Sequence, residues 1–322
     1  GLYVMGYEEK ASVEMLHSNF FNNKATYLGG CIYVRNIFLL NVHNSKLMFC
    51  EAEKGSGFYV NENQFQIFSD CYIARCISKP DRHDSGAVLS IAARLAFFTN
   101  CTFMWNFEGV LRILTVKYVC IIVNCYFLAN KFTKFGGGIF AASNKIIIAN
   151  SQLINNRASF GGGIVLGRVS DSAYLYNCAI EHNMANREGG GMRAKHCKSV
   201  IIINCVFKMN EAKQAAGLQA KFLQNKLVII GTSFSENTAS GHGGAVDSEE
   251  WNTSLRSQMF IINCYFVDNI AEHKGSTLHI ERTKYIFIMN IKIKQNATSF
   301  KYILSAIIIL NSYQLYLNEI SS

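Results

Sequence analysis

The feature that most constrains this chain is a period. The phrase Phe-x-x-Asn, or a loosened form of it, recurs from one end to the other. Aligned on its last residue, the copies fall at Asn23, Cys50, Cys76, Asn106, Asn130, Asn156, Asn183, Asn210, Asn237, Asn269 and Asn296. The steps between them are 27, 26, 30, 24, 26, 27, 27, 27, 32 and 27 residues. A spacing held over that many copies means that each repeat is one structural turn stacked on its neighbours, which is a solenoid.

Each column of the alignment then has a physical role. Three residues before the anchor stand Phe20, Leu47, Ile73, Phe103, Phe127, Leu153, Ile180, Phe207, Phe234, Phe266 and Ile293, all apolar and so predicted to point inward. Five before it runs a small column of Ser, Thr and Cys, inward again by strand alternation. One position earlier stand Asn44, Asp70, Asn100, Asn124, Asn150, Asn177, Asn204, Asn263 and Asn290, broken by His17 and Gly231. This column is expected to be the structural ladder, with stacked amides bonding to one another and to turn backbone buried at a corner.

After the anchor comes an Ala in most copies and then a glycine cluster, such as Gly136-Gly137-Gly138, Gly161-Gly162-Gly163 and Gly189-Gly190-Gly191. Glycine at one place in every turn predicts a tight corner with close backbone stacking. Short strands and tight corners without a 3.6-residue face exclude helical repeats. A repeat of this length is too short for a four-stranded propeller blade. What remains is an all-β chain folded as a parallel β-helix of about eleven turns.

Phe-x-x-Asn paired with Gly-Gly-[Ala/Gly]-[Ile/Val] resembles the repeat of the chlamydial polymorphic outer-membrane proteins and of similar eukaryotic repeat proteins. The pairs here are Phe127…Asn130 with Gly137-Gly138-Ile139, and Phe234…Asn237 with Gly243-Gly244-Ala245-Val246. The resemblance spans almost the whole chain and implies a right-handed, pectin-lyase-like β-helix, displayed on a surface and often adhesive. No outer-membrane barrel pattern accompanies it in these residues.

The unbroken period makes residues 1–322 read as a single β-helix domain. Its first residues repeat a glycine corner and its last begin another turn, so the chain reads as a segment of a longer one. Half of the residues are hydrophobic and only 16% charged, enough to fill a core along the whole rod. Pro80 is the single proline, as expected where nearly every amide joins a ladder. The net charge of +9 is densest from 187 to 198, where Arg187, Arg193, Lys195, His196 and Lys198 read as a solvated basic face. Without aromatic interleaving or a known module there, no nucleic-acid partner is expected. No apolar run reaches the length of a membrane span. Six of the 11 cysteines stand in the small inward column as core filler. Cys50 and Cys76 replace the anchor in adjacent turns, but a bridge between in-register side chains rarely meets the required torsion. Of three Asn-x-Ser/Thr sequons, Asn100 and Asn296 are expected to be engaged internally, which leaves Asn252 as the glycan acceptor of a secreted chain.

Candidate chemistry is confined to two loops and one corner. The insertion from 78 to 85 holds Asp81, His83 and Asp84, and that from 247 to 257 holds Asp247, Glu249 and Glu250. Both read as polar turn clusters with a weak capacity for cations or other ligands. Gly241-His242-Gly243 resembles the Gly-His-Gly of polygalacturonases, yet the partner aspartate motifs are absent and His242 reads as a turn residue. No column shows acidic residues in adjacent turns, as glycosidic cleavage by paired carboxyls requires, and no phosphate-binding, zinc-binding or nucleophile-elbow motif occurs. No catalytic residue, metal or cofactor is therefore expected. The leading expectation is a non-catalytic structural or adhesive segment of a larger surface or extracellular protein, touching a glycan or protein. The alternative is a carbohydrate-active lyase or hydrolase, or a carbohydrate-binding rod.

Overall fold

The computed structural model describes residues 1–6, 11–79, 85–250, 257–294, 307–310 and 314–321. Its strands stack into a parallel solenoid, and no helix occurs among the described residues. One sheet of 12 strands holds the strand that follows each glycine corner, from Leu2–Met5 to Ile307–Leu310. A 22-stranded sheet holds the two strands on either side of the Asn-Cys dipeptide. A third, of five strands, holds the segment after the anchor, such as Glu211–Gln214. Successive turns pair in register apart from shifts after Ala158 and after Ala185, so Phe207 lies over Phe234 and Ile180.

One turn shows how the sequence bends the chain. Met192–Lys195 runs into His196, Ser199–Ile203 into Asn204, Val206–Lys208 into Met209, and Glu211–Gln214 into Ala215. Those four junction residues have φ of 57°, 52°, 50° and 55°. A single left-handed residue turns the chain at each corner, and Asn is the non-glycine residue that tolerates this conformation best. The column from Asn44 to Asn290 is this corner: Asn100, Asn124, Asn150, Asn177, Asn204, Asn263 and Asn290 all have φ between 49° and 54°. Their side chains are exposed, which corrects the expectation of a buried ladder. They do form outer pairs, including Asn124 Nδ2 to Asn100 Oδ1 at 3.2 Å and Asn290 Nδ2 to Asn263 Oδ1 at 2.8 Å. Gly231, with φ of 58°, fills the same place without loss. Sequon Asn100 is accordingly an outward residue, while Asn252 and Asn296 lie outside the described residues.

The buried ladder is the anchor column itself. Asn106, Asn130, Asn156, Asn183, Asn210, Asn237 and Asn269 are at most 1% exposed. From Asn130 onward each Oδ1 accepts from the backbone N–H and the Nδ2 of the anchor one turn earlier, as Asn183 does from Asn156 at 2.9 and 3.1 Å. Each Nδ2 also donates to a carbonyl of the preceding turn, as Asn183 does to Leu153 O at 2.8 Å. The corner leaves backbone groups without strand partners, and the amide column satisfies them.

The rest of the interior is mainly apolar, with a buried pair in which Ser90 Oγ donates to Gln66 Oε1 at 2.6 Å. Phe103 stacks on Phe127 at 4.8 Å, and Phe207 on Phe234 at the same distance. The small column has a polar duty besides filling space. Cys125 N donates to Ser151 Oγ at 3.1 Å and Cys205 N to Thr232 Oγ1 at 3.3 Å, which accounts for the interchange of Ser, Thr and Cys. Cys50 is bridged to Cys31, which follows the preceding glycine corner, and not to Cys76. Cys76 N instead donates to Asn106 Oδ1 at 3.0 Å, so Cys76 abuts the first rung of the buried ladder. Burial pushes its thiol up to about 12, leaving it a poor nucleophile. The glycine corner is tight: a Cβ on Gly162 would lie 2.6 Å from both the N and the O of Met184.

Candidate functional site

The 12-stranded sheet buries alternate residues in the core: Met192 and Ala194, Leu218 and Ala220, Val246, Leu278 and Ile280. Alternation therefore turns Arg193 and Lys195, Gln219 and Lys221, Asp247 and Glu249, His279 and Glu281 to the outer face. Arg193, Gln219, Asp247 and His279 occupy one column in four successive turns. Although they face outward they are 8%, 0%, 4% and 7% exposed. The column lies in a groove whose wall is the glycine-corner segment, since Phe160, Glu188 and His242 lean against it.

A chain of polar contacts runs along the groove floor. Arg193 Nε donates to Gln219 Oε1 at 3.0 Å, and Gln219 Nε2 reaches Asp247 Oδ2 at 3.5 Å. Asp247 Oδ1 lies 2.7 Å from His279 Nδ1. His242 stacks on His279 with ring centroids 5.1 Å apart. Burial holds His242 below the usual histidine range, aided by His279, Lys274 and His273 and opposed by Asp247. Glu188 joins the chain from the wall, 2.9 Å from Arg193 and 3.4 Å from Lys221. Lys221 also reaches Glu249 at 3.0 Å. Burial pulls the Lys221 ammonium down, but Glu249, Glu188 and Asp247 together outweigh it and raise the group.

Of the sequence candidates, His242, Asp247 and Glu249 meet in this groove and Glu250 does not. Asp81, His83 and Asp84 lie outside the described residues. Asp247 and Glu249 are not in a loop but in the strand Val246–Glu249. Glu250 turns under the next corner, where its Oε1 accepts from Leu223 N at 2.9 Å. Burial raises its carboxyl to about 8. Asp247 and Glu250 are therefore buried, and the acidic run is no solvated cluster. A second correction concerns acids in adjacent turns, because Glu249 pairs in register with Glu281. A third concerns the basic face: Arg193 is buried against Phe160 and Glu188, and burial lowers it although Glu188 opposes this.

Glu188, Gln219, Lys221 and His279 escaped sequence reasoning. They stand in a strand or corner without any repeated motif; the register of the 12-stranded sheet aligns Gln219, Lys221 and His279, and Glu188 joins them by its ion pairs with Arg193 and Lys221. No group of three or more His, Cys, Asp or Glu side chains among the described residues is arranged to hold a metal ion. As it stands, the groove can present charge and shape to a ligand, and Asp247 engages Nδ1 of His279, leaving Nε2 as the ring's other polar atom.

Comparison with known families gives one match: the model described as right handed beta helix region covers residues 86–256, more than half of the chain. No curated protein and no solved structure matches it.

Proposed function

The chain belongs to the right-handed β-helix family, and from that premise we propose that it is a non-catalytic scaffold of a larger surface or extracellular protein. One observation carries the reading: the acidic groups of the groove are engaged with one another's counter-charges. Asp247 is held by His279 and Gln219, Glu249 by Lys221, and Glu188 by Arg193 and Lys221. A pair of carboxyls poised for glycosidic work would instead face an open cleft with separated proton affinities.

Two further features favour a place outside the cell and an adhesive role. The Cys31–Cys50 bridge fits an oxidising compartment, and the nine unbridged cysteines are all buried. A stripe of aromatic and cationic residues, Phe21, Phe49, Arg75 and Trp105, crosses one corner in four turns, with Phe21 58%, Trp105 48% and the neighbouring Phe107 44% exposed. Within it Arg75 lies between the rings of Phe49 and Trp105, at 5.3 and 5.2 Å from their centroids. Exposed aromatics and arginine are the residues that anchor protein contacts. The test is to label intact cells that make the full-length protein with a membrane-impermeant amine reagent. Labelling without lysis is expected, and protein reached only after lysis refutes the assignment.

The second reading, a carbohydrate-active enzyme, is favoured by the buried Asp247–His279 pair with His242 beside it. These are the residue types of general acid–base catalysis on the outer face of a strand.

A further inference from the structure

Just beyond the polar chain the groove floor drops. The outermost column of the 12-stranded sheet carries Leu114, Ala142, Gly167 and Lys195 in successive turns. Two small residues between two long ones open a depression of about 330 Å³. Gly167 is not there for its backbone. It lacks the positive φ of the corner glycines, and a Cβ built on it meets nothing nearer than Phe140 Cζ at 3.8 Å. At the corner glycines 161 and 162, by contrast, a Cβ would lie 2.3–2.6 Å from neighbouring atoms. Any small side chain would fit at 167, so what the glycine contributes is space.

The rim is cationic. Arg168, Lys195, His196 and Arg193 all border the depression, and no carboxylate lines it. Arg193 is neutralised by Glu188, whereas Arg168 and Lys195 make no ion pair among the described residues. Burial lowers His196, and Lys195, Arg168 and Arg193 lower it further, as expected where cations crowd together. The floor is apolar. Phe140 has its ring near the Arg112 guanidinium, 4.3 Å from the centroid, and turns its Cζ–Cε2 edge toward the space over Gly167. The edge of an aromatic ring is the positive end of its quadrupole, which also favours a negative neighbour.

We propose that this depression is a binding site for a small organic anion, one ring in size, whose apolar body rests over Gly167 and Ala142. Its carboxylate, sulfate or phosphate group faces Arg168 and Lys195. The volume is at the lower end of small-molecule sites, about 300–1,000 Å³, so it accommodates a single ring and not a chain. Mutual repulsion of the rim cations is relieved when the anion enters, and partial burial keeps that gain from being screened. The site stands apart from the Asp247–His279 pair, so it does not depend on whether the rod is a scaffold or an enzyme.

Titration calorimetry on the whole chain tests it with benzoate, phenyl phosphate, phenyl sulfate and glucuronate, against phenol and methyl glucoside as neutral counterparts. The aryl acids and the sugar acid distinguish the two sources of ring. Saturable binding of at least one anion is expected, with its neutral counterpart at least about tenfold weaker. Gly167→Leu, whose Cβ would meet nothing nearer than Phe140 at 3.8 Å, should weaken that anion by at least about tenfold with the melting temperature unchanged. Lys195→Met should weaken it by about fivefold or more. Failure of all four anions to saturate at millimolar concentration overturns the proposal. So does binding that Gly167→Leu leaves intact, or a neutral compound that binds as tightly as its acid.

Discussion

Replacing Asn183 by Ala tests which amide column holds the rod together. Asn183 is 1% exposed and its side chain joins three turns. Its Oδ1 accepts from Asn156 N and Nδ2, and its Nδ2 donates to Leu153 O and Asn210 Oδ1. Asn156 Nδ2 keeps Phe127 O, and Asn210 Oδ1 keeps the backbone N–H of residue 183. One buried group therefore loses its partner, the N–H of Asn156, whereas the carbonyl of Leu153 keeps its place in the strand ladder with Ala179–Glu181. At about 1–3 kcal/mol for a buried unsatisfied group, the loss is about 1–3 kcal/mol, before any relaxation or entering water. The control is Asn204→Gly at the exposed corner. Gly231 already serves there one turn on, with φ of 58°, so the change should lie within about 0.5 kcal/mol of neutral. Urea unfolding of both variants, compared at their midpoints, reads the difference directly. Equal effects at the two positions would refute the assignment of the anchor column as the buried ladder.

Reduction of Cys31–Cys50, or Cys50→Ser, should cost about 2–4 kcal/mol, and peptide mapping under non-reducing conditions should find that pair; a Cys50–Cys76 peptide would contradict it. Glu250 gives a pH signature. Its folded pKa of about 8 lies above the ordinary 4.5, so the folded state holds the proton more tightly. The associated stability is full below about pH 4.5 and is lost as pH rises toward 8. Glu250→Gln should raise the melting temperature at pH 8–9 and leave it little changed near pH 4; a gain that is the same at both ends would refute the assignment. Gly162→Ala should destabilise strongly or abolish folding, because its Cβ would lie 2.6 Å from Met184 backbone, whereas Gly167→Ala has 3.8 Å of clearance and should melt like the parent chain. The pair is read by thermal dichroism.

The architecture was legible because its signals repeat. The period, the inward Phe column and the small Ser/Cys column each reported a constraint that recurs in every turn, and Phe103, Phe127, Phe207, Phe234 and Phe266 are fully buried as the column requires. The two Asn columns were harder to tell apart, since a left-handed corner and a buried amide ladder both select Asn. The substitutions do separate them. The corner column admits His17, Asp70 and Gly231, residues suited to exposure or positive φ, whereas the anchor column admits only Cys50 and Cys76. The groove was not legible. Its polar column steps by 26, 28 and 32 residues through Arg193, Gln219, Asp247 and His279, no two of which share a type. Without the register of that sheet, Asp247 and Glu249 looked like the start of a loop. The depression at Gly167 was equally hidden, because a glycine kept for space reads in sequence like one kept for a turn.

The measurement closest to the central claim is product release from acidic and neutral polysaccharides, polygalacturonate included, with and without calcium. It compares the parent chain with Asp247→Asn, whose melting temperature is recorded alongside. If the charged groups of the groove serve structure, neither protein yields product, and Asp247→Asn lowers the melting temperature by weakening its contact with His279. Turnover by the parent chain that Asp247→Asn abolishes, with melting unchanged, would contradict the scaffold account and make the Asp247–His279 pair catalytic.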